Sequence, residues 1–188
     1  MKLGEVRVID HDAGTGDDPR RERFIAVDPG VTTGVVAVSL PANWRSLDLY
    51  STLSALRSGE MGLSSCRQME LSGSETGQID RLEALIFGRK GDPNWVKCVV
   101  VEDFILRLRT QSRDLLAPVR LSARLEDRLY KGGFSGQIVY QSPSDAKSIV
   151  TDLRLKQWGL WHPGSPHIRD AWRHMAKYLR EQRGRPGA

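Results

Sequence analysis

Residues 24–38 read Phe-Ile-Ala-Val-Asp-Pro-Gly-Val-Thr-Thr-Gly-Val-Val-Ala-Val, two apolar runs joined through a carboxylate and a Pro-Gly turn. A short apolar run bounded by Gly and Pro is the signature of a buried strand. The pattern puts Asp28 at the end of a core strand, where a carboxylate is costly unless a cation pairs with it. Lysine, arginine or a metal ion can supply that cation. Gly30 and Gly34 let the turn come close to whatever binds beside Asp28.

The rest of the chain builds a sheet around this stretch. A strand over 24–28 and a second over 34–40 make a hairpin. The loose alternation of Leu47, Leu49 and Leu53 predicts a third strand over 47–56. Residues 57–74, rich in Gly and Ser, read as a loop. The period then changes. Ile79, Leu82, Leu85 and Ile86 recur at helical spacing, with Glu75 in the first turn and Gly88 near the end. Residues 97–101 form another buried strand, which runs into Glu102 and Asp103.

A longer helix is expected over 112–130. Leu115, Leu116, Val119, Leu125 and Leu129 supply its apolar side, and Pro118 kinks or opens it. Arg113, Arg120, Arg124 and Arg128 are largely matched in sequence by Asp114, Glu126 and Asp127, which favours a solvated face over a phosphate-binding stripe. Residues 137–141 are a short strand. Ser142-Pro143 and Ser165-Pro166 each open a helix. The last helix covers 166–182, with Ile168, Ala171, Trp172, Met175 and Leu179 as its apolar stripe. Trp158 and Trp161, in the loop before it, are expected to fill the core rather than to stack on unpaired bases. The order gives an α/β fold: a mixed five-stranded sheet, three antiparallel strands followed by parallel strands, with helices on both faces.

Length and composition fit one domain over 23–183, with a flexible arm over 1–22 and a basic tail over 184–188. Twenty-eight Lys and Arg against 23 Asp and Glu leave a net charge of +5, compatible with a polyanionic partner. Cys66 and Cys98 make neither a disulfide framework nor a zinc ribbon, which favours a reducing compartment. No apolar run reaches membrane-spanning length, and no signal-peptide core precedes the domain. These features predict a cytoplasmic protein that does not enter a membrane.

Two strands therefore end in acid, at Asp28 and Glu102. His167 and Asp170 are three residues apart on one face of the last helix, and His174 continues that face. If the helix packs on the sheet, three acids and a histidine converge at the strand ends. Such a set suits Mg²⁺, which takes carboxylates, waters and phosphate oxygens. Two such ions can activate water and stabilise the leaving oxygen in phosphodiester cleavage.

The same residues resemble a family. Residues 25–34, Ile-Ala-Val-Asp-Pro-Gly-Val-Thr-Thr-Gly, resemble the first motif of the RuvC-type Holliday-junction resolvases, in the RNase H-like superfamily. Residues 99–104, Val-Val-Val-Glu-Asp-Phe, are similar to the second motif. Residues 142–147, Ser-Pro-Ser-Asp-Ala-Lys, resemble the stretch whose lysine follows a helix-opening proline. Residues 167–171, His-Ile-Arg-Asp-Ala, resemble the last motif. The resemblance spans about 24–179 and implies an RNase H-like sheet. It implies that Asp28, Glu102, His167 and Asp170 are the catalytic, metal-binding set. Asp28 would bridge two Mg²⁺ ions, with Mn²⁺ able to substitute. Lys147 would contact DNA, and a homodimer would nick branched DNA, four-way junctions above all. The polar arm, the long 57–74 stretch and the added residues after Lys147 look more like the divergent phage branch.

Three other readings share parts of the pattern. An RNase H-like RNA-processing nuclease can use the same acids, and a 2′-OH requirement separates it. A catalytically silent DNA-binding protein can keep the fold without the chemistry. A nucleotide-binding protein of the actin and sugar-kinase type also begins Asp-x-Gly, but it needs a second Gly-rich loop that this sequence lacks.

Overall fold

The computed structural model describes residues 9–10, 21–58, 65–88, 96–104 and 114–183. Its strands are β1 (Ile9–Asp10), β2 (Arg21–Asp28), β3 (Thr33–Pro41), β4 (Ser65–Leu71), β5 (Cys98–Glu102) and β6 (Gln137–Gln141). They form one sheet in the order β1-β4-β3-β2-β5-β6. The pairs β1/β4, β4/β3 and β3/β2 are antiparallel, and β2/β5 and β5/β6 are parallel. The expected five-stranded mixed sheet is present, with the two-residue β1 added at its edge.

Among the described residues, six α-helices cover it: α1 (Leu49–Ser58), α2 (Glu75–Phe87), α3 (Ala117–Lys131), α4 (Pro143–Ile149), α5 (Asp152–Gln157) and α6 (Pro166–Gln182). Side chains alternate across a strand, so β2 and β5 each feed two cores. Phe24, Ala26, Cys98 and Val100 face a core with α1, α5 and α6. Ile25, Val27, Val99 and Val101 face the other, with α2 and α3. The same alternation sends Asp28 and Glu102 toward α6. Both cysteines are buried thiols, and burial pushes Cys98 up to about 11.

The third antiparallel strand is not where the sequence pattern predicts it. Residues 49–58 are a helix, and the strand is β4, within the stretch read as a loop. Leu53 and Leu56 are buried on one side of α1. Asp48 opens the helix by accepting from Ser51 N–H at 2.7 Å, and that bond holds its carboxyl below the usual range. In β4, Met69 and Leu71 face the α2/α3 core, while the polar Gln68 and Glu70 face α6 and bond to it. Those paired polar groups give a buried strand a loop-like composition.

Smaller differences follow from packing. A 3₁₀ turn over Asp114–Leu116 precedes α3, and Pro118 falls in the first turn of α3. Leu115 and Leu116 are exposed, while Leu121, Leu125 and Leu129 make the buried line. The arginines of α3 are not matched mainly within their own helix. Arg120 pairs with Glu75, and Arg128 with Asp80 and Glu83, all on α2. Arg113 lies outside the described residues. The segment after Ser142 makes two short helices, interrupted at Val150 and restarted by the Thr151 cap. Trp158 and Trp161 pack, half-buried, against the α6-side core, as expected. Among the described residues, no helix is long and apolar enough to cross a membrane.

Candidate metal centre

The site is built where β2 and β5 end beneath the first turns of α6. Their last registered pair is Val27 with Val101, so Asp28 and Glu102 follow side by side. Helix α6 begins at a cap: Ser165 Oγ accepts from Ile168 N–H at 3.0 Å, and the hydroxyl donates to Glu70 of β4. Trp172 adds a second tie, its Nε1–H donating to Gln68 at 2.7 Å. Ile168, Ala171, Trp172, Met175 and Leu179 are all buried, so the expected stripe faces the sheet.

Gly34 decides how closely α6 can approach. A Cβ there would lie 2.1 Å from the His167 carbonyl oxygen, so the helix rests directly on the β3 backbone. The group that Gly34 admits beside Asp28 is thus the chain's own helix. The turn after Asp28 is braced from the opposite side. Buried Gln78 of α2 accepts from Thr33 Oγ1 at 2.5 Å and donates to the Val31 carbonyl at 3.0 Å.

One carboxylate oxygen from each of Asp28, Glu102 and Asp170 lies within 4.8 Å of the others. Asp28 is buried, and the other two are half-buried. Burial, with the negative charges of Glu102 and Asp170, pushes the Asp28 carboxyl up from 3.8 to about 6. His167 opposes that rise, its Nδ1 2.9 Å from Asp28 Oδ2. The same hydrogen bond pushes His167 upward, toward the imidazolium. Lys147 Nζ is 3.2 Å from Asp170 Oδ2. All five residues singled out from the sequence therefore meet at one place. Asp103 stays exposed outside the cluster, and its charge helps to raise the Tyr140 hydroxyl.

Lys147 and Arg173 both pair with Asp170, and His167 with Asp28, which leaves Glu102 with no cationic neighbour but His174 among the described residues and the three carboxylates still crowded. Hard oxygen donors at this spacing suit Mg²⁺ or Mn²⁺ and offer nothing to a soft metal. Other supports were not evident in the sequence. Buried Arg173 of α6 bonds the carboxylates of Asp170 and Asp152, and its Nε–H donates to the Val150 carbonyl at 3.2 Å. His174 is buried behind Glu102, its Nε2 2.8 Å from Oε2. The i, i+3 step from Asp170 to Arg173 was a usable signal. The strand partner of His174 had none.

No protein-family model and no curated protein sequence matches the chain. Solved structures do. Thermus thermophilus RuvC in complex with a Holliday junction substrate matches with a TM-score of 0.53 at 13% identity, over 87% of this chain and 96% of that one. A second Thermus thermophilus RuvC structure matches at 0.49 and 13% identity, over 86% and 96%. At that identity the likeness speaks for the fold alone. Three antiparallel strands, then parallel strands, with helices on both faces: the chain has the RNase H-like fold of RuvC.

Proposed function

We propose that this protein is a divalent-metal-dependent endonuclease that nicks four-way DNA junctions and related branched DNA, acting as a homodimer. The observation that carries the reading is the convergence of Asp28, Glu102 and Asp170 from two strand ends and a helix. Those three carboxylates would hold Mg²⁺ or Mn²⁺, with His167 at the margin. When bound there, such ions supply Lewis-acid stabilisation of phosphoryl charge and make water a usable nucleophile.

The chain's own residues do the rest. Asp28 is ionised above about pH 6, when the site can accept a cation. His167, its Nδ1 2.9 Å from Asp28 Oδ2, orients that carboxylate and is placed to join Asp170 as a ligand. Lys147 is half exposed beside Asp170, where its ammonium can meet a phosphate as a point charge. The net charge of +5 makes binding to the polyanion salt-dependent. We place the chain in a divergent, phage-type branch of the RuvC resolvases on the resemblance in sequence alone, from its polar arm and the stretch after Lys147.

The test is cleavage of a labelled synthetic four-way junction, a matched linear duplex and a matched RNA junction, each in Mg²⁺, Mn²⁺ or EDTA. Paired nicks on the DNA junction, dependent on metal and absent from the duplex, are expected. Tight junction binding with no cutting in either metal would contradict the reading and leave a silent DNA-binding protein. Cutting confined to RNA would make it an RNA nuclease.

A further inference from the structure

Glu102 of β5 and Gln141 of β6 are registered neighbours, and both face α6. His174 lies between them, 1% exposed, with Nε2 2.8 Å from Glu102 Oε2 and Nδ1 3.1 Å from Gln141 Oε1. Gln141 is 4% exposed, and its amide nitrogen is buried with no hydrogen-bond partner among the described residues. In that arrangement both ring nitrogens must donate, and a buried N–H₂ group is left orphaned. An amide's oxygen and nitrogen ends fill nearly the same volume, so turning it end for end costs little packing. The turned amide donates to Nδ1, and His174 Nε2–H donates to Glu102. The turn exchanges one orphaned N–H for an orphaned oxygen, which is the less costly of the two.

We propose that His174, buried between Gln141 and Glu102 with Nε2 on the carboxylate, is a positioning residue that fixes the Glu102 carboxylate at the metal centre. The proposal rests on the metal-site reading above. One lone pair of Oε2 is taken by the imidazole, so the carboxylate cannot swing, and Oε1 stays available for ligation. Asp170 is held by Arg173 in a comparable way. Without His174, Glu102 would have to be ordered by the cation itself, at the expense of affinity. Groups that orient metal ligands from behind typically change affinity by about 10- to 100-fold when removed.

The experiment has two arms. In the first, long-range ¹H–¹⁵N correlation of metal-free protein reads the His174 ring. A proton on Nε2, the nitrogen that faces Glu102, is expected in wild type and in Gln141→Leu alike, since a carboxylate can only accept. In the second, Mn²⁺ binding is measured by electron paramagnetic resonance without DNA. His174→Met should weaken Mn²⁺ by about tenfold or more, whereas His174→Gln, whose amide nitrogen falls near the site of Nε2, should stay within about threefold of wild type. If His174→Met does not fold, the Nε2 proton and His174→Gln decide the outcome: a bare Nε2, or Mn²⁺ weakened about tenfold in His174→Gln, overturns the proposal.

A His174 ring with no proton on Nε2, or His174→Met binding Mn²⁺ as tightly as wild type, overturns the proposal whatever the nuclease assay shows. Wild-type protein that fails to bind Mn²⁺ overturns both the proposal and the metal centre. The graded affinities with uncut junctions would remove the nuclease reading and leave the positioning role standing.

Discussion

Asp28→Asn should make the metal-free protein more stable, although it removes the residue on which the site is centred. Burial beside Glu102 and Asp170 pushes the Asp28 carboxyl from 3.8 to about 6. The folded chain therefore holds a proton between those values that the unfolded chain has released. Stability falls as pH rises through that interval. Above about pH 6 the full cost is present: about 2 pKa units at about 1.4 kcal/mol each, or about 3 kcal/mol. Asparagine keeps the size and an acceptor for His167 but buries no charge. At pH 8 in EDTA the variant should melt higher, by about 2–4 °C for each kcal/mol gained. Below about pH 4 the difference should close, since both states are then protonated. Mg²⁺ should act the other way. A cation that binds only folded wild type stabilises it by about 2.7 kcal/mol at a hundredfold excess over Kd. Asp28→Asn should lose most of that gain. Scanning calorimetry at pH 4, 6 and 8, in EDTA and in Mg²⁺, measures all of these. A variant that melts below wild type in EDTA at pH 8 would refute the reasoning, as would one that gains as much from Mg²⁺.

Arg173→Met leaves the carboxylates of Asp170 and Asp152 without their shared guanidinium and should cost about 3 kcal/mol in urea unfolding. Arg173→Lys should recover little of it, since one ammonium cannot span both acids and the Val150 carbonyl. Gly34→Ala drives a methyl into the His167 carbonyl and should destabilise by about 3 kcal/mol. It should also weaken Mn²⁺ binding, because α6 carries Asp170. Arg128→Ala removes exposed pairs to Asp80 and Glu83 and should cost at most about 1 kcal/mol, less in high salt, with cleavage unchanged.

The parts of the fold legible in the sequence are those where apolar spacing and caps agree. Strand β2 ends in Asp28, β5 ends in Glu102, and α6 has both a Ser-Pro start and a clean stripe. Alternation then places both acids on the α6 face. Strand β4 was hidden because Gln68 and Glu70, bonded to α6, look solvent-directed in a linear sequence. Helix α1 is read as a strand because Leu47, Leu49 and Leu53, three leucines over seven residues, suit a strand nearly as well as a helix. The supports of the site were hidden for a topological reason. That β6 lies beside β5, and so brings Gln141 to His174 and Glu102, is a property of strand order. The closeness of Gly34 to His167 is likewise a contact across 133 residues that no local pattern encodes.

If the proposed function holds, Asp28, Glu102 and Asp170 act as one cation site in the cutting of branched DNA. Single-turnover cleavage of a labelled four-way junction in Mg²⁺, with junction binding measured in EDTA, tests it most directly. Wild type, Asp28→Asn, Glu102→Gln and Asp170→Asn should bind alike, and only wild type should cut. Any one of the three variants cutting at the wild-type rate would contradict the account.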